Sequence, residues 1–181
     1  MGSKNKSVIV GVTGSIAAYK ACGLVNAYRK KGFDVTCALT KEALHFVTPL
    51  TLETLSGNKI VSDMFTVPGQ RSPMHVSLAD RADLIVIYPA SANIIGKLAQ
   101  GICDDIITCT ILASKAPVVI APAMNNNMYN HKSVQKNIQA LKDMGYTFVG
   151  PVEGDLACGC YAVGHIADAA DVMDASLSLL K

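Results

Sequence analysis

The sequence has no long apolar run, little charge and no concentration of charge of either sign. Although 50% of its 181 residues are hydrophobic, no apolar stretch approaches the roughly 18 residues that a membrane-spanning helix needs. The polar start Met1–Ser7 leads straight into a strand-like run, so we expect no signal peptide and a cytoplasmic protein. Charged residues make up 17% of the chain and the net charge is +2, without a basic stripe, so nucleic acid is not an expected partner. A composition with so many apolar residues predicts that part of the surface is buried against other subunits.

The six cysteines do not have the spacing of a structural metal site. Cys158 and Cys160 lack a second close pair of Cys or His, so we expect no bound metal. Cys22 and Cys37 fall in apolar runs, where a small buried side chain is common. In the reducing compartment that we expect, these thiols stay free.

Apolar, β-rich runs alternate with helical patterns along the whole chain. The runs at 8–10 and 84–87 are continuously apolar, as is typical of parallel strands buried on both faces. The pattern predicts one α/β domain over residues 1–181, with a doubly wound, Rossmann-like (flavodoxin-like) parallel sheet and helices on both faces. The predicted strands are Val8–Val12, Phe33–Leu39, Ile60–Val61, Leu84–Tyr88, Val118–Ala121 and Thr147–Val149. The predicted helices are Ser15–Lys31, Pro49–Leu55, Ser91–Leu98, Asp104–Ser114, Ser133–Met144 and Ala167–Leu180.

A glycine turn follows the first strand and leads into a helix. Ser15 is placed to cap that helix, and the N–H groups at the helix start favour a phosphate. A mononucleotide fits better than a dinucleotide, because G-x-G-x-x-G is missing and Thr40 ends the second strand where a ribose-binding acid is expected. A tight turn without a ligand remains the alternative.

Two further segments follow predicted strands directly, at the edge where α/β proteins bind ligands. In Pro89–Asn93, Ser91 and Asn93 either cap the next helix or face a ligand. In Pro122–Tyr129, three consecutive Asn could form a simple turn, yet the flanking Met and Tyr side chains resemble pocket walls.

Two side chains are candidates for chemistry. His75 precedes a short predicted helix, where a lone His is more often a surface or capping residue than a catalytic one. Cys158 lies in a glycine-flanked loop that also precedes His165. Together with the amide of Asn125, these groups suggest chemistry on a small polar molecule beside a bound cofactor.

Taken in order, these motifs resemble those of the flavin-containing cysteine decarboxylases. The resemblance covers nearly the whole chain. The matching pieces are Gly14-Ser15-Ile16-Ala17-Ala18-Tyr19-Lys20, Thr40-Lys41-x-Ala43-x-x-Phe46, His75 with Ala82-Asp83, Pro89-Ala90-Ser91-Ala92-Asn93-x-x-Gly96-Lys97-x-Ala99-x-Gly101, Pro122-Ala123-Met124-Asn125-x-x-Met128 and Gly154-x-Leu156-Ala157-Cys158-Gly159.

The resemblance implies FMN as cofactor, bound at a subunit interface of a homotrimer or a multiple of trimers. It implies decarboxylation of the cysteine moiety of 4′-phosphopantothenoylcysteine to 4′-phosphopantetheine in coenzyme A biosynthesis, through a thioaldehyde and an enethiol. His75 would be the catalytic histidine, Asn125 the amide that binds the substrate carboxylate and Cys158 the proton donor, with Met128 and Ala157 also at the substrate. The implied FMN contacts are Gly14, Ser15, Ile16, Thr40, Ser91, Ala92, Asn93 and Ala123.

Related flavoproteins suggest alternative functions for this chain. Peptidyl-cysteine decarboxylases of lantibiotic maturation share His75 and Asn125 but lack Cys158, and flavin prenyltransferases have a similar fold. A non-catalytic FMN-binding regulatory subunit would carry acidic extensions that this sequence lacks. The chain departs from the usual pattern at Ile94, at Tyr129 and in Gly164–Asp168, where an arginine is more usual. It has no ligase segment, so a separate phosphopantothenate–cysteine ligase is expected upstream in the pathway.

Overall fold

The computed structural model describes residues 5–65, 73–155, 159 and 161–180. Its centre is a five-stranded sheet of order β2-β1-β3-β4-β5 in which every neighbouring pair is parallel. This is the doubly wound order with β1 at the point where the winding reverses, so the predicted flavodoxin-like fold is confirmed. The strands are β1 (Ser7–Val12), β2 (Asp34–Leu39), β3 (Leu84–Ala90), β4 (Val118–Pro122) and β5 (Thr147–Phe148).

The sheet separates two hydrophobic cores. All residues of β1 and β3 are buried, and their side chains alternate between the faces: Val8 and Val10 join one core, and Ile9 the other. Helices α1, α2 and α8 cover the first face, while α3, α4, α5 and α7 cover the second. The helices are α1 (Ala21–Lys30), α2 (Pro49–Ser56), α3 (Met74–Arg81), α4 (Ala92–Ala99), α5 (Ile106–Ala113), α6 (Asn126–Asn130), α7 (Lys132–Asp143) and α8 (Ala169–Leu179).

Most boundaries agree with the sequence patterns, and four differ. The single helix predicted over Ser15–Lys31 is a 3₁₀ turn (Ile16–Lys20) followed by α1. The predicted strand Ile60–Val61 is wrong, since Val61 only forms an isolated bridge with Ala38 beside β2. His75 lies inside the first turn of α3 rather than before a helix. Helix α6 was not predicted.

An antiparallel hairpin of β6 (Val152–Asp155) and β7 (Tyr161–His165) was not predicted either. It lies against the segment after β4, where the Met124 N–H donates to the Gly164 carbonyl at 3.2 Å. Gly164 has φ +138°, and a Cβ there would lie 2.3 Å from the Met124 carbonyl oxygen. Only glycine allows so close an approach of the two backbones. The hairpin thereby reaches the carboxyl edge of the sheet.

Within the described ranges, no helix is long and apolar enough to cross a membrane. The four cysteines placed there, Cys22, Cys37, Cys103 and Cys109, are free thiols. The same part of the chain holds no group of His, Cys, Asp and Glu side chains arranged to bind a metal ion.

Candidate functional site

A cavity of about 620 Å³ opens at the carboxyl ends of β1, β3 and β4. Ligands of open α/β sheets bind at this edge, beside the strand where the winding reverses. Four walls meet there: the turn after β1, the start of α4, the segment after β4 and the hairpin. The lining residues are Gly14, Ser15, Ile16, Ala17, Tyr19, Lys20, Phe46, Ser91, Ala92, Ala123, Met124, Asn125, Met128, Asp155, Gly164, His165 and Ile166.

The Thr13 hydroxyl joins two of the strand ends next to this cavity. It donates to the Pro89 carbonyl at 2.8 Å and accepts from the Ser91 N–H at 2.9 Å. The ends of β1 and β3 are therefore joined by one buried side chain. The Ser15 hydroxyl accepts from the Ala17 N–H at 3.3 Å and donates to the Ala123 carbonyl at 3.4 Å, which adds the end of β4.

Two helix starts lie at the edge of the cavity, and Ser15, Ser91 and Ala92 are among the lining residues. Ser15 caps the 3₁₀ turn, and Ser91 caps α4 by accepting from the Ile94 N–H at 3.4 Å. The first N–H groups of a helix have no acceptor inside the helix, and the helix dipole favours an anion there. This edge of the cavity is suited to a phosphate.

Apolar side chains form much of the remaining wall. Ile16, Tyr19, Phe46 and Met128 line the cavity and are 59%, 60%, 44% and 49% exposed. Exposed apolar groups around a concave site suit a flat, largely apolar ring system. Together with the phosphate-binding edge, the walls fit a flavin mononucleotide.

Asn125 stands at the start of α6. Its side-chain oxygen accepts from the N–H groups of Asn127 at 2.9 Å and Met128 at 3.4 Å. This cap fixes the orientation of the side-chain amide at the cavity edge. The amide is thus presented by a helix start, beside the Met124 and Met128 walls.

The hairpin contributes a polar pair. Lys20 Nζ lies 2.8 Å from His165 Nε2, and His165 Nδ1 lies 3.2 Å from the Asp155 carbonyl oxygen. Sequence reasoning did not select Lys20 or Asp155 as site residues, and it noted His165 only for its place near the Cys158 loop and within a segment that departs from the usual pattern. Lys20 closes the Gly14–Lys20 motif, which was the available signal for it.

Tyr88 of β3 has a structural role near these walls. Burial, followed by the charge of Asp168 and by Tyr19, raises the pKa of Tyr88 to about 12. The hydroxyl therefore stays protonated and donates to the Ala167 carbonyl at 2.9 Å. This bond ties the sheet to the segment that follows the hairpin.

The structure brings most of the predicted site residues into this cavity. The turn and helix-start residues Gly14, Ser15, Ile16, Ser91, Ala92 and Ala123 line it, together with Asn125 and Met128. Two predicted cofactor contacts do not line it. Thr40 is buried and caps the 3₁₀ turn Lys41–His45 by accepting from the Ala43 N–H at 3.3 Å, and Asn93 is exposed on α4. Ala157 and Cys158 lie outside the described residues.

His75 does not line the cavity of its own chain. It is half-buried on α3, and its Nδ1 has no hydrogen-bond partner within the described ranges. The predicted catalytic histidine and the cavity are therefore separate within one chain.

Comparisons with known proteins agree with this geometry. The family model described as Flavoprotein matches residues 2–181. The chain is 44% identical over 169 residues to the coenzyme A biosynthesis bifunctional protein CoaBC of Bacillus subtilis (strain 168), covering 93% of this chain and 42% of that protein. It therefore spans less than half the length of this relative.

Two solved structures are similar over nearly their whole length. The FMN-dependent cysteine decarboxylase SpaF has a TM-score of 0.83 and 33% identity, covering 96% of this chain and 95% of that one. A cysteine-to-serine variant of PPC decarboxylase, complexed with pantothenoylaminoethenethiol, has a TM-score of 0.84 and 30% identity, covering 97% and 98%. The chain belongs to the Flavoprotein family.

Proposed function

We propose that this chain is an FMN-dependent decarboxylase that converts 4′-phosphopantothenoylcysteine to 4′-phosphopantetheine in coenzyme A biosynthesis. The observation that carries the proposal is the cavity itself, which combines a phosphate-binding edge, apolar walls and a capped Asn125 amide. The similarity to a bifunctional coenzyme A biosynthesis protein and to a PPC decarboxylase supports it.

The cofactor site follows from the walls. The phosphate and ribityl end of FMN would be held by the turn after β1 (Gly14, Ser15 and Ile16) and by the start of α4 (Ser91 and Ala92). Ala123 would face the flavin ring. Thr40 and Asn93 would contact FMN only after local rearrangement or together with another subunit. Bound FMN supplies the electron sink that a saturated, thiol-bearing carbon lacks, and it returns the electrons after CO₂ has left.

The residues of the chain orient the substrate and deliver a proton. The Asn125 amide would bind the carboxylate that leaves as CO₂, with Met128 and Ala157 beside it. We propose that the Cys158 thiol protonates the carbon of the enethiol when that carbon is reduced. The related PPC decarboxylase with serine in place of a cysteine was solved with an aminoethenethiol, the type of compound expected when this last step is blocked.

We propose that His75 acts in the cavity of a neighbouring subunit of a homotrimer. His75 is separate from the cavity of its own chain, and its Nδ1 is unpartnered within the described ranges. Exposed apolar side chains such as Leu50 and Phe65, 72% and 86% exposed, suit burial at subunit contacts. A trimer would then bring His75 and Asn125 together.

The remaining parts of the proposal concern context. A phosphopantothenate–cysteine ligase activity would supply the substrate, and the four described free thiols suit a reducing cytoplasm. The chain would act as one FMN-binding domain over residues 1–181.

The direct test is to incubate the purified protein with 4′-phosphopantothenoylcysteine and to measure CO₂ and 4′-phosphopantetheine. The protein should purify yellow, release FMN on denaturation, and behave in light scattering as a particle of three 19.1 kDa chains. A colourless protein that cannot be reconstituted with FMN would contradict the cofactor assignment. A fully active, stable monomer would contradict the trimer.

The similarity to SpaF, an FMN-dependent cysteine decarboxylase, leaves one second candidate, the peptidyl-cysteine decarboxylase activity that the sequence motifs also allow. A peptide ending in cysteine separates the two activities. Turnover of this peptide, without turnover of phosphopantothenoylcysteine, would favour the second candidate.

A further inference from the structure

Two cysteines meet at the start of helix α5. Cys103 lies before the helix and is exposed, and Cys109 lies inside it and is half-buried. The Cys109 thiol donates to the Cys103 carbonyl oxygen at an Sγ–O distance of 3.1 Å. Both are free thiols, and neither of them lines the cavity. The proposed reaction therefore leaves this pair without a role.

The local geometry of the helix start brings the two cysteines together. Asp105 is the N-cap, so Cys103 lies two residues before the cap and Cys109 is the fourth residue of the helix. Side chains just before an N-cap commonly pack against the fourth helical residue. In this chain both partners of such a contact carry a sulfur atom.

Polar contacts hold the segment between the two cysteines in place. The Asp105 side chain accepts from the N–H groups of Ile107 and Thr108, both at 3.0 Å. Lys97 of α4 lies 2.7 Å from the Asp104 carboxylate and 3.2 Å from that of Asp105. The fold has therefore already fixed most of the backbone that a disulfide between Cys103 and Cys109 would have to order.

The surroundings of the two thiols suit different roles in an oxidation. Cys103 is exposed, so an oxidant in solution reaches it first. Burial, followed by the neighbouring Cys103, raises the pKa of Cys109, and the carboxylates of Asp105 and Asp104 add to the shift. Cys109 is thus the less reactive thiol toward an oxidant, although it is in contact with Cys103. An accessible cysteine beside a resolving cysteine is the usual arrangement of a redox-sensitive pair.

Cys22 and Cys37 are also neighbours, but they lack this access. Cys37 is buried, and burial followed by the charge of Cys22 raises its pKa to about 12. Among the four cysteines that the structure describes, Cys103 and Cys109 are therefore the pair open to oxidation.

We propose that Cys103 and Cys109 form a reversible disulfide when the protein meets hydrogen peroxide. The Cys103 thiol is first oxidised to a sulfenic acid, and the peroxide releases one water. The Cys109 sulfur then attacks the Cys103 sulfur. The S–S bond forms, the S–O bond breaks, and the hydroxyl leaves with the Cys109 proton as a second water. The two thiols lose two electrons, which the peroxide gains, and a dithiol reverses the change by thiol–disulfide exchange.

The disulfide would lock the start of α5. This helix lies against β1, where a Cβ at Gly11 would be 3.1 Å from Ile107 Cγ2. At its other end, the Ser114 hydroxyl donates to the Ala79 carbonyl of α3 at 3.2 Å. Because a cross-link restricts the unfolded chain, the oxidised protein should need more urea to unfold than the reduced protein.

Peptide mapping of the whole protein tests the proposal. Trypsin cleaves after Lys97 and Lys115, and the peptide between them, 98–115, contains Cys103 and Cys109 and no other cysteine. After hydrogen peroxide treatment and denaturation in iodoacetamide, this peptide should have lost two hydrogen atoms and carry no alkyl group. Dithiothreitol before alkylation should give the peptide with both cysteines alkylated.

Glutathione redox buffers measure whether the fold holds the two thiols together. The equilibrium constant for closing the disulfide, measured on the same peptide, should be at least roughly tenfold larger for the native protein than for the urea-unfolded protein.

Single substitutions assign the two roles. Cys109→Ser leaves Cys103 without its partner, so dimedone should label the Cys103 sulfenic acid more strongly than in the wild type. Cys103→Ser should leave Cys109 open to alkylation after peroxide treatment and denaturation. Cys22→Ser is the matched control and should form the disulfide as the wild type does.

Three results would overturn the proposal, and none of them depends on decarboxylation. The first is a 98–115 peptide with both cysteines alkylated after peroxide treatment. The second is a disulfide that links Cys103 to a different cysteine or to another copy of the chain. The third is an equal equilibrium constant in the native and unfolded protein, since the fold would then not position the pair.

Discussion

Replacing Gly164 with alanine tests how the hairpin is attached to the cavity. The new Cβ would lie 2.3 Å from the Met124 carbonyl oxygen and 3.5 Å from the Asn126 backbone nitrogen. Real Cβ atoms do not approach a backbone oxygen so closely, so one of the two segments must move. The Met124 N–H to Gly164 carbonyl bond of 3.2 Å would lengthen or break.

Three costs add up. A non-glycine residue at φ +138° costs about 1–2 kcal/mol of backbone strain. Relief of an overpacked contact costs a further ~1–3 kcal/mol, and loss of the hydrogen bond costs ~1 kcal/mol. We expect a loss of about 3–6 kcal/mol, a large share of the ~5–15 kcal/mol that stabilises a typical domain.

Urea unfolding of matched variants separates these costs. Gly101 has φ +69° and open space where a Cβ would stand, so Gly101→Ala should show backbone strain alone. Gly23 lies in α1 with open space around it, and Gly23→Ala should be neutral or stabilising by up to ~1 kcal/mol. If Gly164→Ala loses no more stability than Gly101→Ala, the close backbone contact does not hold the hairpin and the reasoning is wrong.

Three further predictions concern the proposed chemistry and the thiols. His75→Asn should keep FMN but lose flavin reduction by substrate, and near wild-type turnover would make His75 a structural residue. Cys158→Ser should release CO₂ once and accumulate the enethiol, while Cys160→Ser should remain largely active, and the reverse result would reassign the proton donor. Burial above all raises the pKa of Cys37 to about 12, so at mildly alkaline pH that thiol should resist alkylation while exposed Cys103 reacts, as peptide mapping would show.

The sheet could be predicted because its strands are apolar on both sides. The apolar runs of β1 and β3 can be recognised without knowing which strands pair with them. Their alternation with helical patterns indicates the doubly wound order. The ligand-binding edge follows from the same pattern, since Ser15, Ser91 and Asn125 each lie within three residues of the end of a strand.

The hairpin could not be predicted, because it depends on tertiary contacts. Val152 and Tyr161 are 41% and 70% exposed, so the two short strands do not show an apolar alternation. They are held instead by backbone pairing and by the Met124–Gly164 contact. The Lys20–His165 pair was missed for the same reason, since its members are 145 residues apart. Thr40 caps a 3₁₀ turn after β2, and its contact with FMN stays a prediction.

The two hydrogen bonds of the Thr13 hydroxyl make one side of the cavity more rigid than the other. Through one hydroxyl, the two strand ends and the start of α4 behave as a single rigid body, since widening the gap between them would strand two buried backbone groups. The opposite wall is joined to that body through the Met124–Gly164 bond and the Lys20–His165 contact. We therefore expect the hairpin wall to move more readily than the cofactor edge when a ligand enters or leaves the cavity.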